Sequence, residues 1–237
     1  SPAPDSMIQY LYLDAIILAG PLLFSFERRI RYYRKWPAVA LSILTVGTAY
    51  IIWDVIATER GDWAFSETYT SGIYIAGLPL AEILFFVVVP YSCLFIYEGL
   101  HYYLPERNLP VPRWLYGGIA ALALLLAALY QDQSYTFIVL IATAIFFIVA
   151  VLAFRDVLAS LQFWLFLLFS FIGFLIFNYL LPSTPVVTYG SDAIWGVRVT
   201  TIPVEDFLYN ISMLGFYFLV YWWAKTKVLQ ENKVEAI

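Results

Sequence analysis

The sequence predicts an all-α membrane protein, with seven transmembrane helices arranged as two parallel three-helix repeats and one connecting helix (3+1+3). Three observations predict it: long apolar blocks, a segregation of positive charge between alternate loops, and a repeat at a spacing of 124 residues. The 237 residues are 62% hydrophobic and 13% charged, with mean hydropathy +0.79. A water-facing domain carries about 25% charged residues. The apolar residues fall in blocks at 8–26, 37–57, 73–97, 114–130, 135–154, 161–181 and 207–224. Each is close to the ~20 residues that cross a bilayer as a helix. Helices satisfy their own backbone groups in lipid, which makes a helical bundle the expected form.

Charge orders these blocks. One set of loops carries Arg28, Arg29, Arg31, Arg34, Lys35, Arg107, Arg113, Arg155, Lys225, Lys227 and Lys233, and the other carries only Arg60 and Arg198. These are all 13 basic residues. The positive-inside rule then predicts an outside N-terminus and a cytoplasmic C-terminus. Dropping any one span would scramble the separation, so count and charge support each other. Residues 1–6, ahead of Met7, read as a cloning remnant. The expected units are 7–104 (first repeat), 105–133 (connector with the fourth helix), 134–227 (second repeat) and 228–237 (cytoplasmic tail).

A shift of 124 aligns the two repeats without a gap. Trp53-Asp54 falls on Phe177-Asn178, Gly72 on Gly196, and Pro79-Leu80-Ala81-Glu82 on Pro203-Val204-Glu205-Asp206. Identities are few, and the signal lies in the order of unusual features. Because the first and fifth spans run the same way, the repeats are parallel, related by an axis along the membrane normal. That axis would bring Glu82 and Glu205/Asp206 near a shared central cavity.

The residues that could carry chemistry are few. Cys93 and His101 are the sole cysteine and histidine, which excludes a disulfide and a cysteine or histidine metal cluster. Asp54, Glu82, Glu205 and Asp206 lie in or at the edge of apolar blocks. An Asp at a helix centre costs about 2.5–3.5 kcal/mol on insertion scales, so each is a functional candidate; the bland alternative is an interhelical clasp or a wet interfacial acid. Pro79 and Pro203 are expected to kink or break their helices and free carbonyls toward a cavity. Burial favours the neutral carboxyl, available as a general acid. Trp53, Phe85, Phe86, Phe207 and Tyr209, with Asn178 and the two prolines, are the candidate substrate lining; aromatic faces stabilise a cation by ~0.5–2 kcal/mol each. For most aromatics a lipid-interface belt is the plainer role. The sequence has no dinucleotide fingerprint, P-loop or zinc-protease motif, and its lysines lie in cytoplasmic segments or at a helix end, against a retinal protein.

With these residues in view, the chain resembles the membrane-integral lycopene cyclases of archaeal, fungal and heterodimeric bacterial type, most closely the single-chain form of Bacteroidota and archaea. The resemblance rests on Leu78-Pro79-Leu80-Ala81-Glu82-Ile83-Leu84-Phe85-Phe86 and Ile202-Pro203-Val204-Glu205-Asp206-Phe207-Leu208, a doubled P-x-E-(E/D) motif. Ser25-Phe26-Glu27, Ile52-Trp53-Asp54, Trp63-Ala64-Phe65 and Val89-Pro90-Tyr91-Ser92-Cys93 extend it over nearly the whole chain. The resemblance implies acid-catalysed, redox-neutral closure of the ψ-ends of lycopene to β-ionone rings, giving γ- and then β-carotene. It implies Glu82, Glu205 and Asp206 as the acid/base set, with Asp54 as a relay partner. Ala81 departs from the pattern, standing where the family usually has Glu; as an engineered or natural loss of the proton donor, it would leave a chain that binds carotenoid without turnover.

The chemistry requires no cofactor and no metal, and activation by a reduced flavin or nicotinamide stays open. The expected partners are a lycopene-like carotenoid, membrane lipid and other enzymes of the pathway, with no nucleic acid. The competing readings are a 3+1+3 transporter and a catalytically inactive carotenoid-binding protein. Apolar Ile, Leu, Phe and Val around the acids favour an apolar ligand over a transported solute.

Overall fold

The computed structural model describes residues 9–66, 72–180 and 187–234, and their side chains apart from 9–10, 177–180 and 228–234. The expected remnant at 1–6 lies outside the described residues. Eight helices are present among them: α1 (Gln9–Phe24), α2 (Tyr32–Arg60), α3 (Leu80–Tyr103), α4 (Arg113–Leu129), α5 (Ser134–Ala153), the short α6 (Arg155–Ala159), α7 (Leu161–Leu180) and α8 (Val204–Val234). By length and apolar composition α2, α3, α5 and the Val204–Lys227 part of α8 can cross a membrane. The apolar stretches Leu11–Phe24, Arg113–Leu129 and Leu161–Ile176 are shorter.

Two expectations are corrected at the helix starts. The apolar block at 73–97 is not helical throughout, and neither Pro79 nor Pro203 kinks a helix. Residues ahead of α3 form a hairpin of β2 (Tyr74–Ile75) and β3 (Leu78–Pro79), and β5 (Arg198–Val199) with β6 (Ile202–Pro203) does the same ahead of α8. Pro79 is the N-cap of α3, with extended ψ of 144°. There a missing N–H costs nothing, because the first helical N–H groups have no intrahelical acceptor. The chain turns at Ala76 and Gly77, both at positive φ (51° and 82°), and at Thr200 (φ 58°) in the second hairpin. Each hairpin also accepts the first N–H of its helix, Leu80 to Ile73 O (2.8 Å) and Val204 to Val197 O (3.1 Å). The all-α expectation therefore gains three small two-stranded sheets.

Pro21 in α1 and Pro90 in α3 lie well inside their helices. Each lacks the N–H that would bond the carbonyl four residues earlier. In both cases a hydroxyl from elsewhere takes that carbonyl: Ser92 Oγ donates to Ile17 O (3.1 Å), and the Tyr217 hydroxyl to Phe86 O (2.7 Å). These bonds tie α1 to α3 and α3 to α8.

The packing repeats with the sequence. Helix α1 lies on α3 as α5 lies on α8, and α2 lies on α8 as α7 lies on α3. The 124 shift converts each contact into its counterpart. Strand β1 (Trp63–Phe65) pairs antiparallel with β4 (Val187–Tyr189), its own counterpart, and Ala64 faces Thr188 at the centre. A strand pairing with its own repeat mate in this register has local two-fold symmetry. The aromatic core, with Phe146, Phe163, Phe166, Tyr217 and Phe218 fully enclosed, fills the space between the helices. At the end remote from the strands, buried Glu98 pairs with Lys35 and with Lys225 (2.5 Å for the second) and accepts the Tyr221 hydroxyl (2.6 Å).

A candidate active site of acids in an aromatic cage

The site is built where α2 ends. Gly61, at φ 84°, is the left-handed cap of the helix. Asp62 then pins the turn: its carboxylate accepts from Arg60 and Ser134, and its carbonyl from the Gly190 N–H (2.8 Å). The chain is thereby folded back so that the Trp63 indole N–H donates to Asp54 Oδ1 (2.7 Å). Asp54 is buried, and its Oδ2 has no partner among the described residues.

The second acid comes from α8. Asp206 accepts the Tyr135 hydroxyl on Oδ1 (2.7 Å) and the Tyr189 hydroxyl on Oδ2 (2.8 Å). Burial first, and the Asp206 carboxylate next, hold the Tyr189 hydroxyl well above the ordinary tyrosine range, which keeps it a donor. Tyr135 is positioned by the start of α5, where the N–H groups of Tyr135 and Thr136 bond Ala193 O. Glu205 points elsewhere, as adjacent helical residues lie about 100° apart. It is fully buried, with Oε1 held by Thr136 Oγ1 (2.7 Å) and the Trp195 N–H (2.7 Å) and Oε2 unpaired among the described residues.

Aromatic rings link the acids. Trp53 lies 5.1 Å from Tyr209 and 6.4 Å from Tyr135, and Trp63 lies 5.0 Å from Tyr135, centroid to centroid. Tyr50 closes the group against Trp53 and Tyr209 (5.3 and 5.4 Å). Glu82, at the start of α3, is near enough for its charge to act on Tyr189 and Tyr209.

Of the residues expected from sequence, Trp53, Asp54, Asp206 and Tyr209 are brought together here. Glu205 is adjacent but faces the 190–195 loop. Phe86 is enclosed in the core against Phe85 (5.4 Å), and Phe207 packs on Phe171 and Phe174 (6.0 and 5.8 Å), outside the cage. Pro79, Pro203 and Ala81 are buried. The side chain of Asn178 lies outside the described residues. Sequence reasoning missed Tyr135, Tyr189, Thr136 and Trp195 as partners of the acids. The repeat held a signal for two of them: a shift of 124 sets Tyr135 on Leu11 and Tyr189 on Phe65, a hydroxyl on one side only. It also missed Asp14, buried in α1 with both oxygens unpaired among the described residues. The described residues hold no cluster of three His, Cys, Asp or Glu side chains able to bind a metal.

Fold and site define an internally duplicated helical membrane protein that holds carboxylates inside an aromatic, largely apolar site. The lycopene cyclase family model matches residues 8–100 and again 132–224, and the chain belongs to the lycopene cyclase family. The two matches are displaced by 124 residues at both ends, the same shift that relates the strands and helices. Comparison with curated proteins and with solved structures finds no match. Family membership makes this an integral membrane protein of carotenoid cyclisation, with a carotenoid as its substrate class.

Proposed function

We propose that the protein closes the ψ-ends of lycopene to β-ionone rings, a cofactor-free intramolecular isomerisation. The observation that carries this reading is the contrast between Asp54 and Asp206 on one aromatic cage. Asp54 accepts an indole N–H on one oxygen and has the other unpaired among the described residues. An indole N–H only donates, so a proton on this carboxyl belongs on Oδ2. An alkene offers no lone pair, and a proton not engaged elsewhere is the one it can take. Asp206 accepts a tyrosyl hydroxyl on each oxygen, so neither oxygen presents a proton free for an alkene, and its role in this reading is the base.

In this mechanism Asp54 protonates the terminal alkene. The tertiary cation is attacked by the neighbouring double bond, forming the ring carbon–carbon bond. Asp206 removes the ring proton, directly or through Tyr135 or Tyr189. The faces of Trp53, Tyr135 and Tyr209 stabilise the passing cation, by about 0.5–2 kcal/mol each. Glu205 positions the 190–195 loop against α5, and Glu82 adds negative charge near the tyrosines. We further propose the 3+1+3 arrangement with all seven long helices in the membrane, the N-terminus outside and the cage at the outer end. The two basic residues of the sparse side are Arg60, at the end of α2, and Arg198, in β5.

The test is expression in a bacterium that accumulates lycopene, with pigments separated by HPLC. Cyclic carotenoid is expected from the native chain and lost in Asp54→Asn. Unchanged lycopene with a folded, membrane-inserted native chain would refute the cyclase reading and bring forward carotenoid binding without turnover.

A further inference from the structure

The connecting helix carries a surface feature that lies outside the duplicated unit. All of α4 falls between the two family matches, and it packs along α5. Two cavities follow one another along the seam between these helices and share Val151 of α5. The first, of about 90 Å³, is lined by Arg113, Tyr116, Arg155 and Asp156. Its wall is fixed, because Tyr116 is buried, stacks on Phe147 and Trp164 (6.1 and 5.8 Å) and donates its hydroxyl to Leu158 O (3.0 Å). Both arginines are exposed and make no ion pair among the described residues. Arg155 donates its Nε–H to Val151 O (3.3 Å), and its other guanidinium N–H groups are left over. The second cavity, of about 270 Å³, is apolar and runs from Gly117 and Ala120 to Leu124 of α4, against Ile148 and Leu152 of α5. A Cβ on Gly117 would meet nothing within 4 Å, so it is the absent side chain that leaves room there.

We infer that this seam seats one anionic phospholipid, with its phosphodiester in the arginine cavity and an acyl chain along the apolar groove. Charge fits first. Two arginines and one aspartate leave the cavity one net positive charge, which a single phosphodiester neutralises. The planar guanidinium fork matches the spacing of phosphate oxygens. Asp156 can accept hydrogen bonds from the hydroxyls of a glycerol headgroup. The order of polarity fits next. The arginines stand at the end of the bundle where the basic loops gather, the place of anionic headgroups, and the groove leads from them toward the bilayer centre. Length fits last. From Arg113 to Leu124 helix α4 rises about 16 Å, which is half of the ~30 Å hydrocarbon core and therefore the depth of one leaflet. A carotenoid hydrocarbon offers the arginines no charge. The inference is independent of the chemistry at the cage.

The experiment uses the full chain, purified in detergent and stripped of lipid. It is titrated with dioleoyl phosphatidylglycerol or dioleoyl phosphatidylcholine, and native mass spectrometry counts the lipids bound and reports the oligomer. The expected result is one tightly held phosphatidylglycerol, bound about 10-fold or more tighter than phosphatidylcholine, whose own ammonium already balances its phosphate. Arg113→Gln with Arg155→Gln is expected to remove that preference, and Arg113→Gln alone, should the double variant fail to fold, to reduce it. Arg28→Gln with Arg29→Gln, on another basic loop, is expected to leave it unchanged. Gly117→Leu fills the groove without meeting a protein atom and is expected to weaken phosphatidylglycerol binding by about 10-fold. Equal binding of the two lipids would overturn the inference, as would a preference that survives loss of both arginines. Competition by glycerol phosphate would assign the cavity to a free phosphate ligand, and a dimer dispersed by Gly117→Leu would assign the groove to a second copy of the chain; either result overturns the lipid site.

Discussion

Asp206 receives two phenolic hydroxyls, and each is a hydrogen bond to a charged group. Such bonds are worth about 1.5–3 kcal/mol. Tyr135→Phe and Tyr189→Phe are each expected to lower kcat about 10- to 100-fold, measured as β-ring formation by reconstituted protein. Trp63→Phe keeps the ring against Tyr135 but removes the N–H that fixes which oxygen of Asp54 is the acceptor. It is expected to reduce kcat and leave KM unchanged, because the indole N–H reaches the acid and not the substrate. Asp54 and Asp206 were legible from sequence, since an acid in an apolar block is conspicuous. Their partners were not, since a tyrosine or tryptophan among so many others is unremarkable until a hydroxyl or N–H is seen within 3 Å of a carboxylate.

At the scale of elements, proline shows why position matters more than identity. Pro79 and Pro203 end strands and cap helices, whereas Pro90 lies within α3 and leaves the Phe86 carbonyl to Tyr217. Tyr217→Phe leaves that buried carbonyl without its donor and is expected to cost about 1–3 kcal/mol, seen as a lowered Tm in detergent. Gly190 crosses close to the end of α2, where an added Cβ would lie 2.7 Å from the Gly61 carbonyl oxygen. Gly190→Ala is therefore expected to push β4 from β1 and to impair both activity and thermal stability, with Tyr189 displaced from Asp206. Apolar periodicity could not separate the hairpin at 74–79 from the helix that follows, because Ile73, Tyr74, Ile75 and Leu78 are as apolar as the helix itself.

Across the whole molecule the two ends are held by different chemistry. The strand end is pinned by Asp62 and the β1–β4 pair, and the opposite end by Glu98 between Lys35 and Lys225. Removing one member of a buried ionic group strands the charges left behind, at about 3–5 kcal/mol. Glu98→Gln is expected to lower Tm sharply without changing the product formed by the surviving folded protein, since Glu98 is far from the cage along α3. Orientation is testable at the same scale: a C-terminal reporter active only in the cytoplasm is expected to give signal, and one placed at the N-terminus is not.

Sequence by itself determined that the chain is helical and apolar enough for a membrane, that it is duplicated at 124 residues, and that Asp54, Glu82, Glu205 and Asp206 lie in or beside apolar blocks. These depend on composition, charge and spacing, all of which are local or periodic. Only the tertiary structure decided which acid meets which donor and that Glu205 and Asp206 serve different neighbours. Those outcomes depend on which helices pack together. A shift along the sequence names the counterparts, but the packing of α2 on α8 is what gathers Trp53, Asp54, Asp206 and Tyr209 into one site.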